Sequence, residues 1–150
     1  MRTRRFQRKD APRVSYLIRK ALSEVNIKYY PRKVIDFMCN HFTPKHLIET
    51  SNRRDVYVVV HRGKIPATGS LSGNPIMTVF VNPRFHGNGI GIEMMNHLER
   101  IAKKRNYKAV KLPSSITAYN FYRKLGYKKV RVILDKNYGK TMAMRKNLYE

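Results

Sequence analysis

Apolar residues near the start of the chain recur at intervals of three and four positions. This spacing places on one face of a helix the residues Val14, Leu17, Ile18, Ala21, Leu22 and Val25. Asp10 is a favourable N-cap residue, and Pro12 suits the first helical turn, where its missing N–H has no helical partner. The pattern therefore predicts an amphipathic helix that begins after Asp10.

Shorter patterns follow as far as residue 81. Val34, Ile35 and Met38 predict a second helix, and Thr43 followed by Pro44 predicts the start of a third. A run rich in β-branched residues predicts a strand at residues 56–61, and the turn residues Arg62, Gly63 and Lys64 after it predict a second strand at 67–71. A further turn at residues 72–75 leads to a third predicted strand at 76–81. Residues 3–7 predict a short opening strand. The close spacing of the three later strands favours an antiparallel meander.

Helical and strand patterns alternate in the second half of the chain. Helices are predicted at residues 92–105 and 117–125, with a short strand at 109–112 between them. Residues 127–134 and 141–148 predict a closing hairpin around a turn at Asn137, Tyr138 and Gly139. Because no repeat or linker interrupts this order, we expect one mixed α/β domain over residues 1–150.

The charge of the chain changes this picture. It has 32 Lys and Arg residues against 9 Asp and Glu, a net charge of +23, whereas a magnitude of about 2 to 8 is enough to keep a small domain soluble. One stretch without an acid contains Arg100, Lys103, Lys104, Arg105, Lys108, Lys111, Arg123, Lys124, Lys128, Lys129 and Arg131. These residues suggest an anionic or nucleic-acid partner. A generally cationic surface is the favoured explanation, because no aromatic-rich RNA-binding strand is present.

The sequence lacks the features of several classes of protein. No segment approaches the run of about 18 apolar residues that spans a membrane, and the basic N-terminus lacks the apolar stretch of a signal peptide. Cys39 is the single cysteine and has no partner for an internal disulfide. The five histidines never have the i, i+4 spacing that presents two metal ligands on one helix face. We therefore expect a cytoplasmic protein with no membrane span and no metal.

A glycine cluster separates the predicted strand at 76–81 from the helix at 92–105. Gly87, Gly89 and Gly91 alternate along this segment, so the backbone can turn tightly and point several N–H groups into one concavity. The positive end of the following helix adds to this anion site. The segment differs from the P-loop and dinucleotide patterns. It predicts a pyrophosphate cradle, and a turn that only allows close packing of strand and helix remains the alternative.

These residues resemble the GNAT superfamily of N-acetyltransferases, whose acetyl-CoA loop reads Arg/Gln-x-x-Gly-x-Gly/Ala. His86, Gly89 and Gly91 occupy the defined positions, and His86 departs from the family pattern. Residues 115–127 resemble a second family segment, in which a helix that bears Ala and Phe-Tyr is closed by Gly-Tyr or Gly-Phe. The specific resemblance covers residues 79–127, while the order of elements agrees along nearly the whole chain.

The resemblance implies a fold and a cofactor site. The fold would be a GNAT-like mixed α/β arrangement, with a mostly antiparallel twisted sheet that is splayed at the acetyl-CoA site and flanked by helices. Acetyl-CoA would be the co-substrate, and no metal would be needed. By position in the family motifs, the cofactor-binding residues would be Phe80, Val81, His86, Gly87, Asn88, Gly89, Ile90, Gly91, Ser115, Asn120 and Phe121.

The function that the resemblance implies is transfer of an acetyl group to a primary amine of a small molecule or a protein, by direct attack of the amine. Tyr122 matches the family tyrosine whose hydroxyl faces the CoA sulfur, and it is our candidate general acid, since a phenol with a reference pKa of about 10 is protonated at neutral pH. Tyr119 and Tyr127 are interpreted as packing residues. Thr78 is the polar residue of its strand. The general base is therefore not identified, and a water relay is expected.

Other functions and assemblies remain open from the sequence. The basic stretch is also compatible with a nucleic-acid-associated protein, or with a GNAT enzyme that acts on an RNA-linked amine such as aminoacyl-tRNA. A homodimer is a further open possibility. The acceptor amine is not indicated, because the segment between Tyr16 and Thr50 matches no motif.

Overall fold

A computed structural model describes residues 1–149 and contains strands and helices in mixed order. In chain order these elements are β1 (Arg2–Arg5), α1 (Ala11–Glu24), α2 (Arg32–His41), α3 (Pro44–Ser51), β2 (Asp55–His61), β3 (Lys64–Leu71), β4 (Ile76–Val81), α4 (Ile90–Lys104), β5 (Ala109–Ser115), α5 (Tyr119–Lys124), β6 (Lys128–Asp135) and β7 (Gly139–Asn147). Short 3-10 turns lie before α1, before α2 and after β4. The mixed α/β class expected from the sequence is confirmed.

The strands form two antiparallel sheets. The first has the order β1-β2-β3-β4, which contains the predicted meander, and the second has the order β5-β7-β6. A parallel bridge between Pro75 and Lys111 joins the sheets, and the Lys111 N–H donates a hydrogen bond of 3.2 Å to the Asn74 carbonyl. β4 and β5 are paired at this end and separate beyond it. The expected splay of the central sheet is therefore confirmed.

Helices cover both faces of the first sheet. Successive side chains of a strand point to opposite faces. Val58 therefore packs with α1 residues in one buried cluster, while Tyr57 and Val59 pack with α4 residues in the other. Met94 and Leu98 are fully buried on α4. The burial of these apolar faces sets where α4 begins, and hence where the glycine segment lies against β4.

The start of α1 differs in detail from the sequence prediction. Asp10 precedes the helix, but its carboxylate makes no capping hydrogen bond with it. The buried carboxylate instead accepts hydrogen bonds from the Arg4 guanidinium at 2.8 Å and from the Gln7 N–H at 2.7 Å. Burial acts to raise the pKa of Asp10, but the hydrogen bonds from Arg4 and Gln7 outweigh it, so the pKa is lowered. The Asp10 side chain therefore holds β1 against the start of α1 through Arg4, because β1 lies next to Asp10 in the folded chain.

No helix within residues 1–149 is long and apolar enough to cross a membrane. In the same part of the chain, no group of three or more His, Cys, Asp and Glu side chains is placed to hold a metal ion. Three of the histidines, His41, His46 and His97, pack against aromatic rings. His41 stacks on Phe37 with 5.9 Å between centroids, and His97 lies edge-on to Tyr57 at 4.5 Å.

Candidate active site

A cavity of about 430 Å³ lies where the two sheets separate. β4 forms one wall through residues 76–80, and Leu112, Ser115 and Tyr122 line it from the other side. We use the name outer end for the part lined by His41, His46, Thr50, Arg54, Asp135 and Tyr138. This volume lies within the range of about 300–1,000 Å³ that is common for small-molecule sites. The cavity is therefore the candidate active site.

β4 is bulged where it lines the cavity. Phe80 pairs with Thr68 and Met77 pairs with Ser70, so two residues of β4 lie opposite Gly69 alone. The first of them, Thr78, has a φ of 54°, a left-handed conformation that is strained for a β-branched residue. A bulge disrupts the regular ladder and bends its strand. The bulge therefore turns β4 away from regular pairing at the position where the cavity opens.

Tyr122 is one of the residues that line this cavity. The residue is 5% exposed, and its ring packs against Phe121 and Tyr127 with centroid distances of 5.2 and 5.7 Å. Within residues 1–149, no group forms a hydrogen bond with the Tyr122 hydroxyl. Burial raises the pKa of the phenol. A protonated hydroxyl without a partner therefore lies on the cavity wall.

Tyr127 has a different environment. It is 2% exposed, and its hydroxyl donates a hydrogen bond of 2.8 Å to Glu99. The Lys146 ammonium donates to the same carboxylate at 2.9 Å. Burial and the neighbouring Glu99 charge raise the pKa of Tyr127. Because its hydroxyl is already bound, Tyr127 fits the packing role that we predicted for it.

The glycine segment lies between β4 and α4. His86, Gly87, Asn88 and Gly89 are exposed, and Gly89 immediately precedes the helix. Gly87 and Gly89 have φ values of 84° and 75°, and a Cβ added at either one would meet no atom within 4 Å. The Ile90 side chain is 2% exposed and belongs to the core. Ile90 therefore faces the open space with its backbone only, as the predicted cradle requires.

Three of the predicted cofactor residues meet beside this segment. A Cβ added at Gly91 would lie 3.0 Å from Phe121 Cζ and 3.6 Å from Val81 Cγ2. β4, α4 and α5 therefore converge at Gly91. Phe80 and Ser115 line the cavity itself, although the Ser115 hydroxyl already accepts a hydrogen bond of 3.1 Å from the Ala118 N–H. Asn120 is exposed at the first turn of α5.

Tyr30 also lines the cavity, although the sequence analysis gave it no role. Its hydroxyl donates to the Lys140 carbonyl and accepts a hydrogen bond of 2.9 Å from the Ile116 N–H. A Cβ added at Gly139 would lie 2.9 Å from the Tyr30 ring. Tyr30 therefore ties the β6–β7 hairpin to the turn that precedes α5. No local pattern reveals this role, because the partners are distant in sequence.

We expect Tyr30→Phe to lower the free energy of unfolding by about 2 kcal/mol, because it leaves the Ile116 N–H and the Lys140 carbonyl without their partner. Urea denaturation monitored by circular dichroism measures the change. Tyr29→Phe is the matched control, since Tyr29 is 56% exposed. Equal effects of the two substitutions would show that the Tyr30 hydroxyl does not hold the hairpin.

The sequence matches the family described as "Acetyltransferase (GNAT) domain" over residues 26–148. This match covers well over half of the chain. The chain therefore belongs to the GNAT family of acetyl-CoA-dependent N-acetyltransferases, in agreement with the splayed sheet, the glycine segment and the cavity. A comparison with curated proteins gives no significant match.

Solved structures with the same fold include several acetyltransferases. A GCN5-related N-acetyltransferase from Rhodopseudomonas palustris has a TM-score of 0.91 at 17% identity, with 97% of this chain and 94% of that chain covered. PaiA N-acetyltransferase from Thermoplasma acidophilum, in complex with coenzyme A, has a TM-score of 0.82 at 16% identity, with 97% and 98% covered. Aminoglycoside 6'-N-acetyltransferase from Enterococcus faecium has a TM-score of 0.71 at 17% identity, with 100% and 98% covered. These identities establish likeness of fold.

Proposed function

We propose that the chain transfers the acetyl group of acetyl-CoA to a primary amine of a small molecule or a protein, by direct attack of the amine. The observation that carries this proposal is the hydroxyl of Tyr122, which has no partner within residues 1–149 and lies on a cavity between β4 and β5. Acetyl-CoA supplies an activated thioester. The residues of the chain then have four tasks: they bind the cofactor, orient the amine, stabilise negative charge and manage protons.

The segment from His86 to Gly91 would bind the pyrophosphate of the cofactor. Gly87 and Gly89 leave the space above the backbone open, and α4 begins directly after them with its positive dipole end. Backbone N–H groups supply the contacts in this arrangement. The departure of His86 from the family pattern is therefore compatible with binding.

The backbone of β4 would position the thioester arm. Phe80 and Val81 follow the bulge and lie on the edge of β4 that has separated from β5. An extended arm can add to such an edge as a further strand. A backbone N–H near the bulge would then stabilise the negative charge that develops on the carbonyl oxygen, because fixed dipoles in a site without bulk water act strongly.

Tyr122 would donate a hydrogen bond to the departing sulfur. Its raised pKa keeps the phenol protonated at neutral pH. As the C–S bond breaks, Tyr122 would share its proton with the developing thiolate, and this interaction strengthens as negative charge forms on sulfur. Because a phenol is a weaker acid than a thiol, the proton that the amine releases to water would finally protonate the sulfur, and the products are the amide and the free thiol of CoA. The interaction therefore favours the transition state over the ground state.

The amine would lose its proton through water. β4 provides no carboxylate towards the cavity, since its residues 76–81 contain no acid. His41 lies at the outer end, and its pKa is lowered by burial first and by His46 and Arg54 next, so it is uncharged at neutral pH. The uncharged His41 ring can accept a proton, but Phe42 packs between it and Phe80 of β4, so the proton would have to reach it through water, and a water relay remains our proposal.

An RNA-linked amine such as aminoacyl-tRNA is the second candidate acceptor. The observation that favours it is the exposed edge strand β6, which carries Lys128, Lys129 and Arg131. Contacts between cations and phosphates release counterions, so an affinity that depends on β6 would fall steeply with salt. Salt titration of RNA binding therefore tests this candidate separately from cofactor binding.

We expect coenzyme A to raise the melting temperature, because a ligand that binds only the folded state stabilises it by about 2.7 kcal/mol at one hundred times its dissociation constant. Differential scanning calorimetry over a range of coenzyme A concentrations measures the shift. Pantetheine is the matched control, since it lacks the pyrophosphate that residues 86–91 would hold. A folded protein that shows no shift at millimolar coenzyme A would contradict the proposed function.

A further inference from the structure

Arg54 lines the outer end of the cavity. The residue is half-buried and follows α3. Within residues 1–149, its guanidinium makes no hydrogen bond and no ion pair, whereas the guanidinium groups of Arg4 and Arg105 pair with Asp10 and Asp55. A guanidinium has five N–H donors in a fixed geometry that suits carboxylate and phosphate groups. The cavity therefore contains an anion-binding group that no other part of the described chain uses.

Side chains that can donate hydrogen bonds line the same outer end as Arg54. The rings of His41 and His46 are 4.0 Å apart between centroids. His46 Nε2 lies 3.3 Å from the Thr50 hydroxyl, and His41 Nε2 lies 3.4 Å from the Tyr138 hydroxyl. Each of these side chains can donate a hydrogen bond. An anion at Arg54 would therefore meet further donors.

Asp135 is the acid that lines the same outer end, and it does not neutralise Arg54. Its Oδ2 accepts hydrogen bonds from the Asn137 N–H at 2.8 Å and from the Tyr138 N–H at 2.7 Å. These bonds hold the carboxylate on the turn of the β6–β7 hairpin. The net charge of +23 also draws anions, more than cations, towards the protein. Arg54 is therefore available to a ligand.

Apolar side chains separate the outer end from the wall of β4. The His41 and Phe42 rings are 5.0 Å apart, and the Phe42 and Phe80 rings are 5.8 Å apart. Met38, Leu47 and Ile133 also line the cavity. A ligand that reaches from Arg54 to β4 must therefore pass along these apolar side chains.

We propose that the acceptor amine carries an anionic group, a carboxylate or a phosphate, which Arg54 binds at the outer end, while an apolar spacer of several atoms places the amine beside Tyr122. This inference rests on the proposed acetyl transfer and adds the class of its acceptor. It predicts discrimination by the group at the far end of the acceptor. Ligands that differ only in that group therefore test it.

Four amines with the same six-carbon spacer provide the test: ε-aminocaproate, aminohexyl phosphate, hexylamine and hexamethylenediamine. We expect kcat/KM to be about 10- to 100-fold higher for the better anionic amine than for hexylamine, because one charge-assisted interaction at Arg54 distinguishes them. The diamine should be the poorest acceptor. The better of the two anions identifies carboxylate or phosphate as the recognised group. Equal rates for all four, or a preference for the diamine, would overturn the inference.

Arg54→Gln should remove this preference, so that the anionic amines and hexylamine have nearly equal kcat/KM in this variant. Arg53→Gln is the matched control, since Arg53 is the exposed neighbour and its loss changes the net charge equally. Retained preference in Arg54→Gln, or equal losses in both variants, would assign the effect to general charge and overturn the inference.

Binding provides a readout that does not depend on turnover. Calorimetry with the CoA-saturated protein measures the affinities of ε-aminocaproate and aminohexyl phosphate for both variants. For whichever of these two anions binds better, we expect the affinity for the Arg53→Gln variant to be at least about 10-fold higher than that for the Arg54→Gln variant. If no amine is acetylated, the proposed transfer fails, and this Arg54-dependent binding still decides the inference. Absence of any Arg54 effect on affinity would contradict it.

Discussion

Tyr122→Phe is expected to lower kcat by about 10²- to 10⁴-fold, the range for loss of a general acid. The hydroxyl has no hydrogen-bond partner within residues 1–149, so its removal leaves no buried group unpaired, and the ring still packs between Phe121 and Tyr127. Affinity for acetyl-CoA should be unchanged, because the lost interaction strengthens only as charge develops on sulfur. Steady-state kinetics and calorimetric titration measure the two quantities separately.

Tyr119→Phe is the control for this substitution. Tyr119 lies three residues earlier at the start of α5 and packs against the core as a half-buried ring. We expect removal of the Tyr119 hydroxyl to change kcat by no more than a few fold relative to the unsubstituted protein. Full activity of Tyr122→Phe with a large loss in Tyr119→Phe would show that Tyr119 is the proton donor. A collapse of stability in Tyr122→Phe would show that the hydroxyl serves the core.

Gly89→Glu is expected to abolish binding of acetyl-CoA. A Cβ at Gly89 meets no protein atom within 4 Å, so the new carboxylate would occupy the open space that we assign to the pyrophosphate and would repel it. The φ of 75° also adds strain of about 1–2 kcal/mol for a residue with a side chain. Calorimetric titration with coenzyme A measures the affinity, and circular dichroism verifies the fold.

Gly89→Asn separates charge and volume from backbone strain. Asparagine tolerates the left-handed conformation better than other residues with a side chain. It is also neutral and smaller than glutamate. We therefore expect a folded protein with weakened but measurable affinity. Unchanged affinity in Gly89→Glu would show that the glycine serves only the turn before α4.

Much of the fold could be predicted because its long elements have clear periods. α1 and α4 each bury one apolar face on the first sheet. Because a helix that buries one face needs apolar residues at intervals of three and four, the sequence pattern predicts both helices. The meander β2-β3-β4 was likewise evident, because turn residues at 62–64 and 72–75 separate three short strand-like segments. Element ends were less accurate: β5 extends to Ser115, beyond the predicted residue 112, because it pairs with β7 as far as Thr141.

The bulge of β4 was not predicted. Thr78 appeared in the sequence only as a polar residue in a strand, whereas the structure gives it a left-handed backbone opposite Gly69. Strand propensity favours β-branched residues in extended conformations. The sequence around Thr78 therefore predicts an extended conformation. The left-handed conformation is evident only from the folded chain, in which β4 pairs with β3 on one side and separates from β5 on the other.

The sequence by itself determined the family, and it indicated the cofactor end of the site that we propose, because a phosphate-binding loop is built from contiguous backbone and leaves a local motif, here between His86 and Gly91. Only the tertiary structure indicated the acceptor end that we propose. Arg54 follows α3, His41 ends α2, and Asp135 ends β6, so their proximity depends on how three separate elements pack around one cavity. Side chains that meet from distant segments form no motif with a recognisable spacing in the sequence. For this reason the proposed anionic acceptor could be inferred only from the folded chain.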